Sequence, residues 1–337
     1  MTSRTLVRTA LTVLLLAPAA FAQTVNLSGA GSTFIYPLAS KWFNEYNKLH
    51  PQIQINYQSI GSGGGIRQFS QDRTVDFGET DGPMTDQQLK ESKVQPVVHL
   101  PMALGGVVPV YNLRVGGLRF SGETLADIYL GKIVMWDDPA IAKDNPGVKL
   151  PSDPITVVHR ADGSGTTYTW VDYLSKVSGA FKQKVGVGTS VTWPVGLGGK
   201  GNEGVAGLVK QTPGAIGYVE LIYALQTKIA CAPVKNAAGE FVNASLASVS
   251  AAAATANIPA DYRVSITNAP GKAVYPISTF TWLLATPSMQ DAKKKKALHD
   301  FLVWAVTKGQ GYSEGLGYAP LPKNLVQREL KDIGKLK

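Results

Sequence analysis

The sequence predicts an α/β protein built as two lobes. Three observations carry that expectation. After residue 23, short apolar runs with strand alternation take turns with runs of helical period, the pattern of a sheet covered by helices. The strand-like runs of the first part end in glycines or small polar residues that open the next helix or turn. The chain has 337 residues, more than one compact hydrophobic core usually serves.

The elements follow in order. Arg4 and Arg8 precede an apolar stretch from Ala10 to Ala20, and Ala20-Phe21-Ala22 gives an A-x-A cleavage site before Gln23. Residues 1–22 therefore read as a signal peptide, too short and Pro-interrupted for a membrane span. Gln23, not a Cys, stands directly after the cleavage site, so an exported, soluble protein without a lipid anchor is expected. Val25 and Leu27 mark a short strand running into Gly29-Ala30-Gly31-Ser32-Thr33-Phe34. A helix then places Leu38, Trp42, Phe43, Tyr46 and Leu49 on one face, and Pro51 stops it. Ile53, Ile55 and Tyr57 alternate as a strand, and Gly61-Ser62-Gly63-Gly64-Gly65 turns into a short helix. Val75 and Phe77 mark a strand ending at Asp81, and the stretch from Val97 to Val110 reads as a buried strand crossing the molecule.

Helices are expected over Glu123–Leu130 and from Pro139 to Ala142. Ile155, Val157 and Val158 form a strand ending at His159-Arg160, followed by Ala161-Asp162-Gly163-Ser164-Gly165-Thr166-Thr167. The next helix carries Trp170, Val171, Leu174 and Val177. A glycine-rich stretch from Gly196 to Gly204 opens a helix with Val205, Leu208 and Val209, and Ile216 and Tyr218 mark another strand. An Ala-rich run follows from Ala247 to Ala256. Val274 to Leu284 reads as a second crossing, and a last amphipathic helix carries Leu298, Phe301, Leu302 and Ala305.

Cys231 is the only cysteine, so no internal disulfide forms and the core alone must hold the fold. It is expected to be a buried small apolar residue. The net charge of +9 falls to +7 once Arg4 and Arg8 are removed, and part of the excess sits in Lys293 to Lys296 and the Lys-rich end. Such a run is ordinarily a solvated helix face. Without zinc spacing or an RNA-binding signature it gives no reason to expect nucleic acid.

Three segments share a strand, a Gly/Ser/Thr loop and a helix start: Gly29 to Phe34, Gly61 to Gly65, and Asp162 to Thr166. A helix start exposes unpaired N–H groups and a partial positive charge. Glycines allow close backbone approach, and hydroxyls add donors, so such loops suit an anion. Ser32, Thr33, Ser62, Ser164 and Thr166 could equally be plain helix caps. Arg160 could grip two oxygens of an oxyanion with Asp162 steadying its fork, or form a surface pair. Asp81 discriminates: a buried carboxylate repels a bare anion but accepts a hydrogen bond from one that still carries a proton. Phosphate keeps a proton at neutral pH and sulfate does not, so sulfate would leave two acceptors facing each other. The plainer reading of Asp81-Gly82-Pro83 is a turn.

The segments GAGSTF at Gly29, IGSGGG at Ile60, VDFGETDGP at Val75 and IYLGKIVMWDDPAIAKDNPGVKLP at Ile128 extend the pattern. So do VVHRADGSGTT at Val157, WPVGLGGKGNEGVAGLVKQTPGAIGYVE at Trp193 and YPIS at Tyr275. Together, and in this order, the chain resembles the periplasmic phosphate-binding protein of the phosphate-specific ABC importer. The resemblance implies a type II periplasmic-binding-protein fold with two hinge crossings, near Leu100 to Gly105 and Tyr275 to Thr279. The first lobe would be discontinuous, residues 23–103 and 277–337, and the second would span 104–276. It implies phosphate held by Thr33, the Phe34 N–H, Ser62, Asp81, Arg160, Ser164, Gly165 and Thr166. It also implies a periplasmic monomer that needs no cofactor and delivers inorganic phosphate to the membrane permease subunits of that importer. Glu79, Thr80 and Gly82 depart from the small residues usual beside the Asp, and His159 stands where the family is often basic.

Other classes remain open at this point. A Ser164 nucleophile lacks an evident base, and the four histidines show no metal-ligand spacing. Asp162-Gly163-Ser164-Gly165 is not a nucleophile elbow, and Gly201 follows Lys200 where a nucleotide loop needs Ser or Thr. A secreted phosphatase-like enzyme, a receptor for another oxyanion, and a phosphate-scavenging surface protein are the alternatives.

Overall fold

A computed structural model of the chain describes residues 24–337; the signal peptide expected over residues 1–22 lies outside them. The chain opens with β1 (Val25–Gly31), α1 (Tyr36–Leu49), β2 (Ile53–Ser59), α2 (Ser62–Arg67) and β3 (Phe77–Thr80). A short α3 (Asp86–Glu91) leads into the long strand β4 (Val98–Tyr111). Then come α4 (Gly122–Tyr129), α5 (Pro139–Asp144), β5 (Thr156–Arg160), α6 (Gly165–Val177), α7 (Gly179–Lys184) and β6 (Leu197–Gly199). They are followed by α8 (Gly201–Gln211), β7 (Ala215–Glu220) and α9 (Leu221–Thr227). Two-residue strands β8 (Ala230–Cys231), β9 (Val234–Lys235) and β10 (Phe241–Val242) precede α10 (Leu246–Ala254). Strand β11 (Ser278–Ala285) and helices α11 (Ala292–Val306) and α12 (Lys323–Ile333) complete the chain.

Nine strands form one curled sheet, in the order β2-β1-β3-β11-β4-β7-β5-β6 with β8 pairing off the end of β4, and β9 and β10 form a separate two-stranded sheet. In the first half β1 lies parallel between β2 and β3, and β11 runs antiparallel to β3 and β4. In the second half β5 lies parallel between β6 and β7. Strand β4 serves both halves: Val98 to Gly106 pairs with β11, and Val107 to Tyr111 pairs with β7. Residues 99–111 of β4 and all of β11 are buried, which explains their continuous apolar sequence where a half-exposed strand would alternate.

Helices cover each half. Leu38, Ala39, Trp42, Phe43 and Tyr46 of α1 face inward, and Phe43 and Tyr46 meet Phe301 of α11 at ring separations of 5.5 and 5.3 Å. Each large apolar side chain buried this way contributes about 1.5–3 kcal/mol. In the second half Trp170 of α6 stacks on Tyr218 of β7, 5.0 Å apart.

Several expectations need correction. Leu49 is 60% exposed, because it closes the last turn of α1 beyond the core. Val75 lies outside β3, which starts at Phe77 and stops one residue before Asp81. Residues 274–277 lie outside β11, the last two of them in a turn, and do not extend the strand. The C-terminal helix is α12, not α11. Cys231 is exposed, on a two-residue strand that pairs only with Val110 and Tyr111 at the end of β4.

Candidate functional site

The parallel strands of the two halves aim their carboxyl ends at one cleft. β1 runs into Ser32-Thr33-Phe34, β2 into Gly61-Ser62 and β3 into Asp81, while β5 ends in Arg160 and leads to Ser164-Gly165-Thr166. Ligands of open α/β sheets bind at such strand ends. The loops of the halves touch: the Gly63 N–H donates to the Gly163 carbonyl at 2.8 Å, and the Tyr223 hydroxyl to the Thr33 carbonyl at 2.6 Å. Gly61 has φ +88°, and a Cβ there would fall 2.2 Å from Asp162 Oδ2, so glycine is required for this approach. Every one of the expected site residues with a side chain is buried: Thr33, Phe34, Ser62, Asp81, Arg160, Ser164 and Thr166.

Asp81 stands among donors. Its Oδ1 accepts from the Ser32 hydroxyl, which in turn accepts from the Phe34 N–H at 3.0 Å. Its backbone N–H donates to Ser62 Oγ at 3.2 Å. Gly165 lies directly across, where a Cβ would come within 2.3 Å of Asp81 Oδ2 and 2.6 Å of Ser62 Oγ. Burial pushes the Asp81 carboxyl up to about 7, against the Ser32 bond and the Arg160 charge, which pull it down. The turn after β3 is made by Thr80, whose Oγ1 receives the Gly82 N–H at 3.1 Å, so the Asp81 side chain is free of turn duty and faces the cleft.

Arg160 is held from the other side. Its Nε and Nη2 donate to the two Asp162 oxygens at 2.8 and 2.5 Å, and Nη1 donates to Thr166 Oγ1 at 3.3 Å. A guanidinium has five N–H groups; with three committed, one remains on each terminal nitrogen, a fork suited to two oxygens of one anion. Asp162 is fixed as well, accepting from the Gly201 N–H at 3.0 Å. Burial raises its carboxyl, but the Arg160 fork more than offsets this and leaves it below the usual range. Ser164 caps α6 by accepting from the Thr167 N–H at 3.0 Å, which leaves its O–H to donate.

Glu79 is a second buried carboxyl, with Oε2 lacking any hydrogen-bond partner. Burial raises it to about 8; the Tyr57 hydroxyl opposes this and the Asp81 charge adds to it. The native state thus holds a proton that the unfolded chain releases, and stability falls as pH rises from 4.5 to about 8. His99, which burial lowers to about 3 from 6.5, acts in the opposite sense below pH 6.5, since there the unfolded chain takes the extra proton. Its ring nitrogen Nε2 accepts from the Met84 N–H at 3.1 Å. In the interval from pH 6.5 to about 8 His99 drops out, while Asp81, raised to about 7, and Glu220 and Glu329, both raised by burial, act in the same sense as Glu79. Across it, Glu79→Gln is expected to flatten the fall in thermal midpoint of the ligand-free protein. A slope equal to the parent's would mean that Glu79 already ionises freely in the fold.

Two residues of the site were not singled out from the sequence. Ser32 reads there as a possible cap, yet it ties the Phe34 N–H to Asp81. Asn202, inside the GLGGKGNEG segment, bridges Thr33 and Thr166 across the cleft. His159 packs: its ring stacks on Trp193 at 5.2 Å and its Nδ1 meets the Arg160 carbonyl at 3.0 Å.

Residues 17–308 match a family model described as a PBP superfamily domain. The chain is 50% identical over 311 residues to the phosphate-binding protein PstS of Xylella fastidiosa strain 9a5c, covering 91% of this chain and 84% of that one. It is 43% identical over 319 residues to PstS of Haemophilus influenzae, covering 93% and 94%. Among solved structures, a high-affinity periplasmic phosphate-binding protein bound with phosphate has a TM-score of 0.73 at 21% identity, covering 90% of this chain and 92% of that one. A phosphate-binding protein from Stenotrophomonas maltophilia has a TM-score of 0.70 at 18% identity, covering 91% and 94%. At those identities the structural likeness is one of fold.

Proposed function

We propose, from the premise that the chain belongs to the PBP superfamily and within it to the PstS phosphate-binding proteins, that it captures inorganic phosphate between two lobes and delivers it to an ABC-type importer. Its fold is the two-lobed fold of periplasmic phosphate-binding proteins. The observation that carries the reading is one buried carboxyl, Asp81, among hydroxyl, backbone and guanidinium donors. A tetrahedral anion with one proton meets every group in such a cleft with the opposite hydrogen-bonding role.

In this reading Thr33, Phe34, Ser62 and Asp81 hold the anion from the first lobe, the Phe34 N–H exchanging the Ser32 hydroxyl for a ligand oxygen. Arg160, Ser164, Gly165 and Thr166 hold it from the second. Helix α6 starts at Gly165, so its unpaired N–H groups and positive dipole end add to the grip. The lobes are residues 23–103 with 277–337, and 104–276. Support comes from β4, which leaves β11 for β7 between Gly106 and Val107. Contacts from both lobes favour the closed form, and closure about β4 and β11 buries the ligand. The closed protein then docks on permease subunits. Export to the periplasm as a monomer completes the picture, in keeping with the leader-like residues 1–22.

A binding role is also the chemistry of Ser164. Its hydroxyl is the cap of α6, and neighbouring His159 is turned to the Arg160 carbonyl and Trp193, an arrangement unlike a Ser–His nucleophile pair. The test pairs two measurements on the mature protein. Titration with inorganic phosphate is expected to give one-to-one binding, and incubation with an aryl phosphate ester to release no phosphate. Turnover of the ester, or no heat with phosphate, would overturn the reading.

A further inference from the structure

We propose that Asn202 is a positioning residue that fixes the hydroxyls of Thr33 and Thr166 as donors toward the bound anion; this rests on the phosphate-capture reading. Asn202 is fully buried in the first turn of α8, between a loop of the first half and a helix start of the second. Its Oδ1 accepts from the Glu220 N–H at 2.9 Å. A backbone N–H can only donate, so this bond decides which end of the amide is oxygen, and the nitrogen must face the opposite way.

That nitrogen donates to Thr33 Oγ1 at 2.7 Å and to Thr166 Oγ1 at 3.1 Å. The Asn202 backbone N–H also donates to Thr33 Oγ1, at 3.2 Å, and Arg160 Nη1 to Thr166 Oγ1, at 3.3 Å. A hydroxyl has one hydrogen to give and two lone pairs to accept with. Both lone pairs of each threonine oxygen are therefore engaged, and each O–H is left to donate. A deprotonated oxyanion offers only acceptors, so a hydroxyl that turned its lone pairs outward would repel it. Asn202 removes that rotamer in advance, which is a saving in ordering at the moment of binding. One amide thus sets the polarity of a donor from each lobe, and its anchor, the last residue of β7, ties it to the sheet.

A double-mutant cycle tests this, with phosphate affinity by calorimetry and the thermal midpoint of each ligand-free variant as a control for folding. Asn202→Ala is expected to weaken phosphate about 10- to 100-fold in the parent. In a Thr33→Val/Thr166→Val background the same change should cost less than about threefold, because the hydroxyls through which it acts are gone. Asn202→Asp, of the same shape, puts an acceptor where the donor was and should weaken binding at least as much as Asn202→Ala; if Asn202→Ala fails to fold, the cycle is run with Asn202→Asp. Equal losses in both backgrounds, or an Asn202→Asp variant with parental affinity, would overturn the proposal. If the parent itself binds no phosphate, the capture reading falls and this one with it; if the parent binds and the losses multiply, only this one falls.

Discussion

Asp81→Asn is expected to collapse the preference for phosphate over sulfate. In the parent, Asp81 Oδ1 is occupied by the Ser32 hydroxyl and Oδ2 faces Gly165 and Ser62. A protonated phosphate donates to the free oxygen. A hydrogen bond to a charged, buried acceptor is worth about 1.5–3 kcal/mol, or about 10- to 100-fold in affinity. Sulfate has no proton to give and would bring an oxygen against a carboxylate, both unpaired in a dry cleft. The amide of Asn has nearly the same shape and a donor of its own, so sulfate gains a partner while phosphate loses one. Phosphate affinity should fall and sulfate affinity rise, with little change in fold. An unchanged ratio of the two affinities would remove Asp81 from the selectivity mechanism.

The second large effect belongs to Arg160. Its side chain is 1% exposed, and its fork on Asp162 leaves one N–H on each terminal nitrogen for the ligand. Arg160→Ala removes both and strands the Asp162 carboxylate beside an incoming anion. Each charge-assisted hydrogen bond to the ligand is worth about 1.5–3 kcal/mol, so losing two should lower phosphate affinity by more than about 100-fold. Arg160→Lys should restore only part of it, since one ammonium cannot hold Asp162, Thr166 and two ligand oxygens together. An Arg160→Ala protein within about threefold of the parent would make the pair purely structural.

The strand ends and their loops were legible because their cause is local. Gly61, Ser62 and the run from Asp162 to Thr166 announce a tight turn and a helix start wherever they occur. Strands β4 and β11 were legible as long apolar runs because all of β11 and all of β4 after Val98 are buried. What was not legible depends on distant partners. Helix α12 hides its inward stripe because Glu329 sits between Leu325 and Ile333, all three buried, and a carboxyl breaks an apolar period. The exposure of Cys231 follows from how a two-residue strand meets β4, which composition does not report. Asn202 reaches Thr33 across 169 positions of sequence, and a lone Asn in a glycine-rich run gives no sign of that. Ser32 and Ser62 look alike in sequence, yet one donates to the Asp81 carboxyl and the other accepts from its backbone.

The claim that one buried carboxyl among donors selects a protonated tetrahedral anion is tested most directly by titrating one sample of the mature protein with phosphate, arsenate and sulfate at neutral pH. Phosphate and arsenate, which both keep a proton, should each saturate a single site, while sulfate gives no binding heat at concentrations about a hundredfold higher. Sulfate binding as tight as phosphate would contradict it.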